Sequence, residues 1–394
     1  MKILVISHMF PNAMNNVYGI FVAHQVRELI NLGHEVTVIS PVPWSGKLIW
    51  WAGEKWKNYG RIPFTEKREG VRVFYPRYPV LPRKILYQYI GQSCYLGISP
   101  LIRRLYPRFP FEIIHAHTAL PDGFAAGLMK KEFACPIVLT IHGQDIFSNV
   151  KMGKGCRNAV IKALAEADHI VAVSSKLKKE MTALVDEKKI QVVPNGILRA
   201  EAGDGINELK AQYQGKQILL SVGYLIPRKG HRYVLEAMKD LVKEYPQLIY
   251  LIVGDGLEEG YLRKLAEDFG LGDKVYFLGR KSPEDVAKYM ALADIFVLPS
   301  WNEAFGVVYL EAMAQGKPVI GCQGEGIEDI VSPGVDGFLV PPQDAEKLKN
   351  MIKALLQDEK MRIQIGKEAQ NKVLKKFTWA RVAEELTKIY YSHR

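Results

Sequence analysis

Short apolar runs recur along the chain and alternate with stretches whose apolar positions fall three and four residues apart. Continuous apolar runs bounded by turn residues read as strands buried on both faces, and the longer spacing reads as helices lying on them. In the first half, strands are predicted at 2–7, 36–40, 71–76, 112–117, 136–142, 169–174 and 190–193. In the second half they are predicted at 218–223, 249–253, 275–278, 295–298, 318–321 and 338–340. A helix near 20–32 places Val22, Val26, Leu29 and Ile30 on one face and stops at Gly33. Ser282-Pro283 opens another helix as cap and first residue. Strand and helix in alternation predict an α/β protein built of doubly wound parallel sheets.

A chain of 394 residues is too long for one core, so two domains are expected. The join falls at Val193-Pro194-Asn195-Gly196, a turn followed by the polar stretch 199–216. This gives domains at 1–195 and 196–378, with a capped terminal helix over 379–394. Two segments break the rhythm. Residues 44–70 hold Trp44, Trp50, Trp51 and Trp56 among Lys47, Lys55, Lys57 and Arg61. Residues 78–106 hold a proline-punctuated stretch and a tyrosine-rich helix. Amphipathic aromatics beside basic residues suit a membrane interface, and equally a long insertion packed on its own domain.

Composition adds bounds. With 48% hydrophobic and 24% charged residues, the chain is of the soluble globular kind. No apolar window reaches the length of a membrane span. Met1–Ser7 reads as a buried strand and not as a secretion signal. Cys94, Cys135, Cys156 and Cys322 are scattered without a C-x-x-C, which fits a reducing, cytoplasmic setting without thiolate zinc. The net charge of +11 is uneven: residues 1–195 carry 26 Lys+Arg against 14 Asp+Glu (+12), and residues 196–394 carry 27 against 28 (−1). A basic first half suggests an acidic partner or a merely solvated face. An anionic membrane surface is one such partner. Nucleic acid is set aside, because none of the usual reading motifs occurs.

The chemistry concentrates in Pro-Ser-Trp-Asn-Glu-Ala-Phe-Gly-Val-Val-Tyr-Leu-Glu-Ala-Met-Ala (299–314). An apolar strand, 295–298, precedes Glu303; a Phe-Gly turn then opens the helix that carries Glu311. Glu303 is therefore expected in a loop at a strand's carboxyl end, where ligands of open α/β sheets bind. The backbone N–H groups of Gly306, Val307 and Val308 point out of the helix start and suit an anion. Two acceptors beside an anion site fit a ligand with hydroxyls and a phosphate. The whole pattern, E-x-F-G-x-x-x-x-E-A-M-A-x-G-x-P-V ending at Val319, resembles the signature of the retaining glycosyltransferases of the GT-B fold, family four, and the resemblance spans the chain.

Other motifs agree with that resemblance. Gly223-Tyr-Leu-Ile-Pro-Arg-Lys-Gly230 follows a strand, and a lysine there can reach a diphosphate. It is similar to the family's G-R-L-x-x-x-K-G, with Lys229 matching, Tyr224 in place of the arginine and Arg228 the nearest substitute. His115-Ala-His117 places two imidazoles on one strand face, and His142 ends another strand in Thr-Ile-His-Gly-Gln-Asp145. Three histidines could bind zinc, but no acidic or thiolate fourth ligand accompanies them; core histidines with satisfied hydrogen bonds are a further reading. The resemblance implies that His117 approaches the acceptor and His142 the transferred sugar. It also implies that the backbone at Gly19 reaches the donor phosphates, that Leu278 and Arg280 meet the nucleobase, and that Gly324-Glu-Gly-Ile-Glu328 bounds the phosphates. Gly254-Asp-Gly-Leu-Glu-Glu-Gly260 is a weak dinucleotide-loop lookalike.

By this resemblance the chain is a GT-B enzyme with two Rossmann-like domains facing a cleft, the terminal helix crossing back to the first. A nucleotide-diphosphate sugar, of the UDP type, binds the second domain; a glycan or lipid-linked acceptor binds the first. Lys229, Glu303, His117 and His142 form the catalytic set. Gly19, Arg228, Lys229, Leu278, Arg280, Glu303, Phe305, Gly306, Val307 and Glu311 form the donor set. No cofactor and no metal is implied, since D-x-D is absent. The product class is bacterial surface polysaccharide of teichuronic-acid type. A sugar-nucleotide epimerase and a silent nucleotide-sugar-binding subunit share the expected fold and remain alternatives.

Overall fold

The computed structural model describes residues 1–44, 53–198 and 203–393. Lys47, Trp50 and Trp51 of the Trp/Lys segment lie outside the described residues. The chain divides into two compact units, Met1–Gly196 with Trp379–Arg394, and Ile197–Thr378. Both are Rossmann-like α/β layers.

The first unit contains Lys2–Ile6 (β1), Glu35–Ile39 (β2), Val42–Pro43 (β3), Thr65–Arg68 (β4), Val71–Phe74 (β5), Arg77–Tyr78 (β6), Ile113–His117 (β7), Ile137–Ile141 (β8), His169–Ala172 (β9) and Ile190–Val192 (β10). Eight of them form one sheet in the order β10-β9-β8-β7-β1-β2-β5-β4, and β3 pairs with β6 apart from it. Register places Ile3 opposite Val36 on one side and Ile113 on the other. Every residue of β7 and β8 is buried, as expected of central strands in a sheet covered on both faces, His115 and His117 of β7 included. The antiparallel edge strand β4 (Thr-Glu-Lys-Arg) was not predicted. Its charged side chains hide it from an apolar count and protect the sheet edge from further pairing.

The helix Ile20–Asn31 buries Val22, Val26 and Leu29, while Ile30 is half-buried; Gly33 follows at φ 86°, which a residue with a Cβ resists. The terminal helix Trp379–Tyr391 joins this unit's core. Its Trp379, Val382, Leu386, Ile389 and Tyr390 belong to one apolar cluster with Val22, Val26 and Leu29. Burying one such side chain contributes roughly 1.5–3 kcal/mol, so the helix is firmly seated. Tyr390 also bonds His115 through its hydroxyl (2.6 Å to Nδ1).

The second unit contains Gln217–Val222 (β11), Leu248–Val253 (β12), Val275–Phe277 (β13), Ile295–Val297 (β14), Val319–Cys322 (β15) and Phe338–Val340 (β16). They form an all-parallel sheet in the order β13-β12-β11-β14-β15-β16. Ser282 caps its helix as predicted, accepting from the Asp285 N–H at 3.1 Å, with Pro283 as first helical residue.

Each strand order reverses once, between β1 and β7 in the first unit and between β11 and β14 in the second. Chains leaving adjacent strands there turn to opposite faces and leave a crevice at the carboxyl ends, where ligands bind in such sheets. In the first unit this edge carries Ser7-His8 and His117–Asp122; in the second it carries Gly223–Lys229 and Leu298–Glu303.

Among the described residues, no helix is long and apolar enough to cross a membrane. All four cysteines are buried, and none of them forms a disulfide.

Candidate active site

In the second unit, the loop after β11 and the loop after β14 bring Lys229 and Glu303 together, Nζ to Oε2 at 2.5 Å. Ser300 donates to the same oxygen at 3.1 Å, and Arg228 Nη1 approaches it at 3.7 Å. Arg228 thus faces the site, not away from it. The pair is largely buried, with side-chain exposures of 11% for Lys229 and 14% for Glu303. Burial alone would raise the Glu303 pKa, but the charge and hydrogen bond of Lys229, with Arg228 and Ser300, overcome it and leave it lowered. Glu303 is therefore an ionised acceptor at neutral pH.

The loop that presents Glu303 is held by Glu325, from the loop Gly324–Glu328. Glu325 is buried and accepts from the Glu303 N–H at 2.8 Å, while the Gly326 N–H donates to the Glu303 carbonyl at 3.2 Å. A Cβ on Gly326 would lie 2.2 Å from the Ala304 carbonyl oxygen, so this close crossing needs glycine. Gly306 caps the helix Val307–Ala314 at φ 87°, and a Cβ there would meet the Tyr309 ring at 2.5 Å. Phe305 is buried (2% exposed), so only its backbone is available.

Glu311 stands apart from this cluster. It lies on the solvent-facing side of the helix Val307–Ala314 and makes no hydrogen bond or ion pair through its carboxylate among the described residues. Surrounding protein still desolvates the group enough to raise its pKa.

At the end of β13, the Arg280 guanidinium sits 5.8 Å from the Tyr224 ring centroid and pairs with Asp255 at 2.6 Å. An arginine from another loop thus lies over Tyr224, the position where the family pattern has an arginine. Leu278 is tied in place through its N–H to the Ile252 carbonyl at 2.9 Å.

The remaining predicted residues lie in the first unit. His115 and His117 do share one face, with ring centroids 4.4 Å apart, and His142 stacks on His117 with Nε2 3.1 Å from its Nδ1. His115 is spent on the core, bonded to Thr140 and Tyr390. Burial pushes all three imidazoles down, His115 and His142 to about 3, so they act as neutral donors and acceptors. Among the described residues no group of three or more His, Cys, Asp or Glu has metal-holding geometry; these histidines stack on one another instead. His117 is fully buried and its Nε2 has no partner, whereas His142 is partly exposed and touches Phe21. Asp145, from the same motif as His142, accepts from the Ala119 and Leu120 N–H groups and fixes the turn after β7. Gly19 heads the helix Ile20–Asn31 at φ 70°, where a Cβ would strike the Met9 backbone at 2.3 Å.

Sequence reasoning missed one pair. His8, just past β1, donates its backbone N–H to both Asp122 oxygens (3.1 Å each), and its Nδ1 lies 2.8 Å from Oδ2. The two residues are 114 positions apart, and the one available signal is that each follows a strand at the reversal point.

Two Rossmann-like units with this site define a GT-B glycosyltransferase fold. Residues 206–372 match the family described as Glycosyl transferases group 1, and residues 19–199 match Glycosyltransferase Family 4. The N-acetyl-alpha-D-glucosaminyl L-malate synthase of Bacillus anthracis is 30% identical over 303 residues, covering 75% of this chain and 78% of the relative. The chain belongs to this glycosyltransferase family. A Bacillus subtilis (strain 168) glycosyltransferase provisionally named for teichuronic acid biosynthesis, TuaC, is 29% identical over 361 residues, covering 89% of this chain and 88% of the relative. Among solved structures, Anabaena HepE in complex with UDP superposes with a TM-score of 0.74 at 21% identity over the whole of both chains. That likeness speaks to the fold.

Proposed function

We propose that the chain is a retaining hexosyltransferase that takes a sugar from a nucleotide diphosphate, of the UDP type, and passes it to a hydroxyl of a glycan or lipid-linked acceptor in cell-surface polysaccharide synthesis. The observation that carries this reading is the Lys229–Glu303 pair at the reversal point of the second sheet, with the unpartnered Glu311 on the adjoining helix. The donor's diphosphate takes the positive ground at Lys229, Arg228 and the helix start at Gly306 and Val307. Glu311 accepts the ribose hydroxyls. Glu303 and the Phe305–Val307 backbone hold the sugar ring, and Leu278 and Arg280 bound the base. The family resemblance assigns the backbone at Gly19 to the donor phosphates as well. The HepE complex with UDP supports a uridine donor by likeness of fold, and the relative TuaC supports a surface-polysaccharide product.

In the transfer, the bond from the anomeric carbon to the β-phosphate oxygen breaks and the acceptor oxygen bonds the same face. The departing phosphate takes the acceptor's proton. Charge grows on that phosphate, and fixed cations and N–H groups aimed at it contribute roughly 3–4 kcal/mol each to lowering the barrier. His142 receives the transferred sugar's hydroxyls, with His117 behind it toward the acceptor. No metal takes part in this scheme, in keeping with the absence of D-x-D. The basic first unit meets an anionic membrane on the cytoplasmic side, bringing the enzyme to a lipid-linked acceptor.

The reading is tested by NMR of donor and acceptor mixtures. A product whose anomeric configuration equals the donor's supports it, and an inverted product overturns it. Conversion of the sugar nucleotide without an acceptor would instead identify an epimerase, and binding without any turnover a silent subunit.

A further inference from the structure

The two units repeat one arrangement. In the second, Lys229 after β11 meets Glu303 after β14. In the first, His8 after β1 meets Asp122 beyond β7. Each sets a basic side chain against a carboxylate across the sheet's reversal point. The second fits the donor; the first has no role in the scheme so far.

Asp122 is fully buried and accepts from the His8 N–H, from His8 Nδ1 and from Thr118 Oγ1 at 3.2 Å. The His8 ring is thereby fixed in tautomer and direction. Its Nε2 makes no hydrogen bond among the described residues, and the side chain is 23% exposed. A carboxylate behind one ring nitrogen and open ground before the other make an outward-pointing donor. The half-exposed Tyr18 ring stands edge-on at 6.5 Å. Lys55 acts on His8 through its charge, and its Nζ lies 5.7 Å from the Tyr59 ring. The charged and titratable groups acting on this imidazole are Asp122, Asp145 and Lys55; its own charge reaches His117 and His142, which burial holds neutral.

We propose that the His8–Asp122 pair anchors an anionic group of the acceptor, a phosphate or a carboxylate, with His8 Nε2 donating to it, Lys55 adding a second positive charge and Tyr18 packing on the acceptor's carbon frame. The proposal rests on reading the chain as a glycosyltransferase whose acceptor binds the first unit. It narrows that acceptor to a molecule carrying negative charge near the receiving hydroxyl. His8 is a binding residue here, not the proton acceptor of the transfer. Burial alone would lower its pKa, but the Asp122 charge and hydrogen bond overcome this and leave it raised. The anchor is therefore strongest at low pH and fades as pH rises through the His8 titration.

The test uses saturation-transfer NMR on the full chain with saturating UDP. The probes are glucose 1-phosphate, methyl β-glucuronide and the neutral methyl β-glucoside. At least one anionic probe should bind about tenfold more tightly than the neutral one, as expected of a charge-assisted hydrogen bond. Which anion wins identifies the group. His8→Gln and, independently, Lys55→Ala should remove most of that preference while the thermal shift given by UDP stays unchanged. On the wild type, the preference for methyl β-glucuronide, whose carboxylate stays ionised throughout the imidazole range, should decline as pH rises through the His8 titration. Equal binding of neutral and anionic probes, no binding of any, or a preference that survives both substitutions would overturn the proposal. A preference that grows with pH would also overturn it, making His8 a proton acceptor. Loss of the UDP shift in the wild type, with the His8-dependent preference intact, would overturn the donor reading and leave the anchor standing.

Discussion

Lys229 and Glu303, 74 residues apart in the chain, meet as a largely buried ion pair at the carboxyl edge of the second sheet. Each holds the other at the strand ends that the proposed reading assigns to the donor's phosphate and sugar. Lys229→Ala or Glu303→Ala should lower kcat by about 100- to 1,000-fold, the scale of losing one preorganised group. Steady-state kinetics check this; wild-type turnover in either variant would remove the assignment.

The same pair makes a prediction on stability. The lowered Glu303 pKa stabilises the folded state above the ordinary glutamate value of 4.5, and that contribution is lost as pH falls through the folded value. Lys229→Ala leaves the carboxylate with Ser300 and the more distant Arg228, at a cost of about 1–3 kcal/mol. Urea denaturation should show this gap near neutral pH and show it narrowing in acid.

For Glu311 the sign reverses. Its raised pKa means that the charged form is penalised in the folded state, fully above the folded pKa and not at all well below 4.5. Glu311→Gln should therefore leave the unliganded protein as stable or slightly more stable at neutral pH, an advantage that vanishes in acid. Its donor KM should rise with kcat little changed, as for a lost binding contact.

Glycine positions separate crowding from backbone strain. Gly306→Ala and Gly326→Ala each drive a Cβ against protein atoms, at 2.5 and 2.2 Å, whereas a Cβ on Gly324 meets nothing within 4 Å. Gly324 sits at φ 72°, so Gly324→Ala should cost only about 1 kcal/mol of strain. The other two should cost more and also weaken donor binding. Denaturation midpoints and donor affinity measured together distinguish the three.

Membrane docking predicts salt-sensitive sedimentation with anionic vesicles. Each Lys or Arg near such a surface contributes roughly 1 kcal/mol within a Debye length of about 8 Å. Trp44, half exposed, is the most exposed of the described tryptophans. Trp44→Ala should weaken binding without unfolding the protein. Equal partitioning onto neutral vesicles, or none at any salt, would leave the basic surface to a soluble anion.

Most strands were readable because parallel sheets bury both faces, so β8 and β12 are almost wholly apolar, and β7 is fully buried although it carries His115 and His117. The strand β4 was not, because an edge strand with Glu66, Lys67 and Arg68 carries no apolar signal. Glu303 and Lys229 could be picked out because each lies in a spaced motif beside a strand end. Glu325, His8 and Asp122 could not. Their work is done through contacts between distant loops, Glu325 gripping the Glu303 backbone and Asp122 holding His8, and no local spacing encodes such a meeting. Arg280 was singled out for the base, but its seat over Tyr224 needs the neighbouring strand ends to be placed first.

The most direct measurement is calorimetric titration of UDP-glucose, GDP-mannose and ADP-glucose into the wild type, Glu311→Ala and Lys229→Ala. The account predicts that one of these donors binds the wild type. It also predicts that each substitution weakens that donor by about tenfold or more, the loss of one charge-assisted contact. Binding of none of the three, or an affinity unchanged in both variants, would contradict a nucleotide-sugar site built on Glu311 and Lys229.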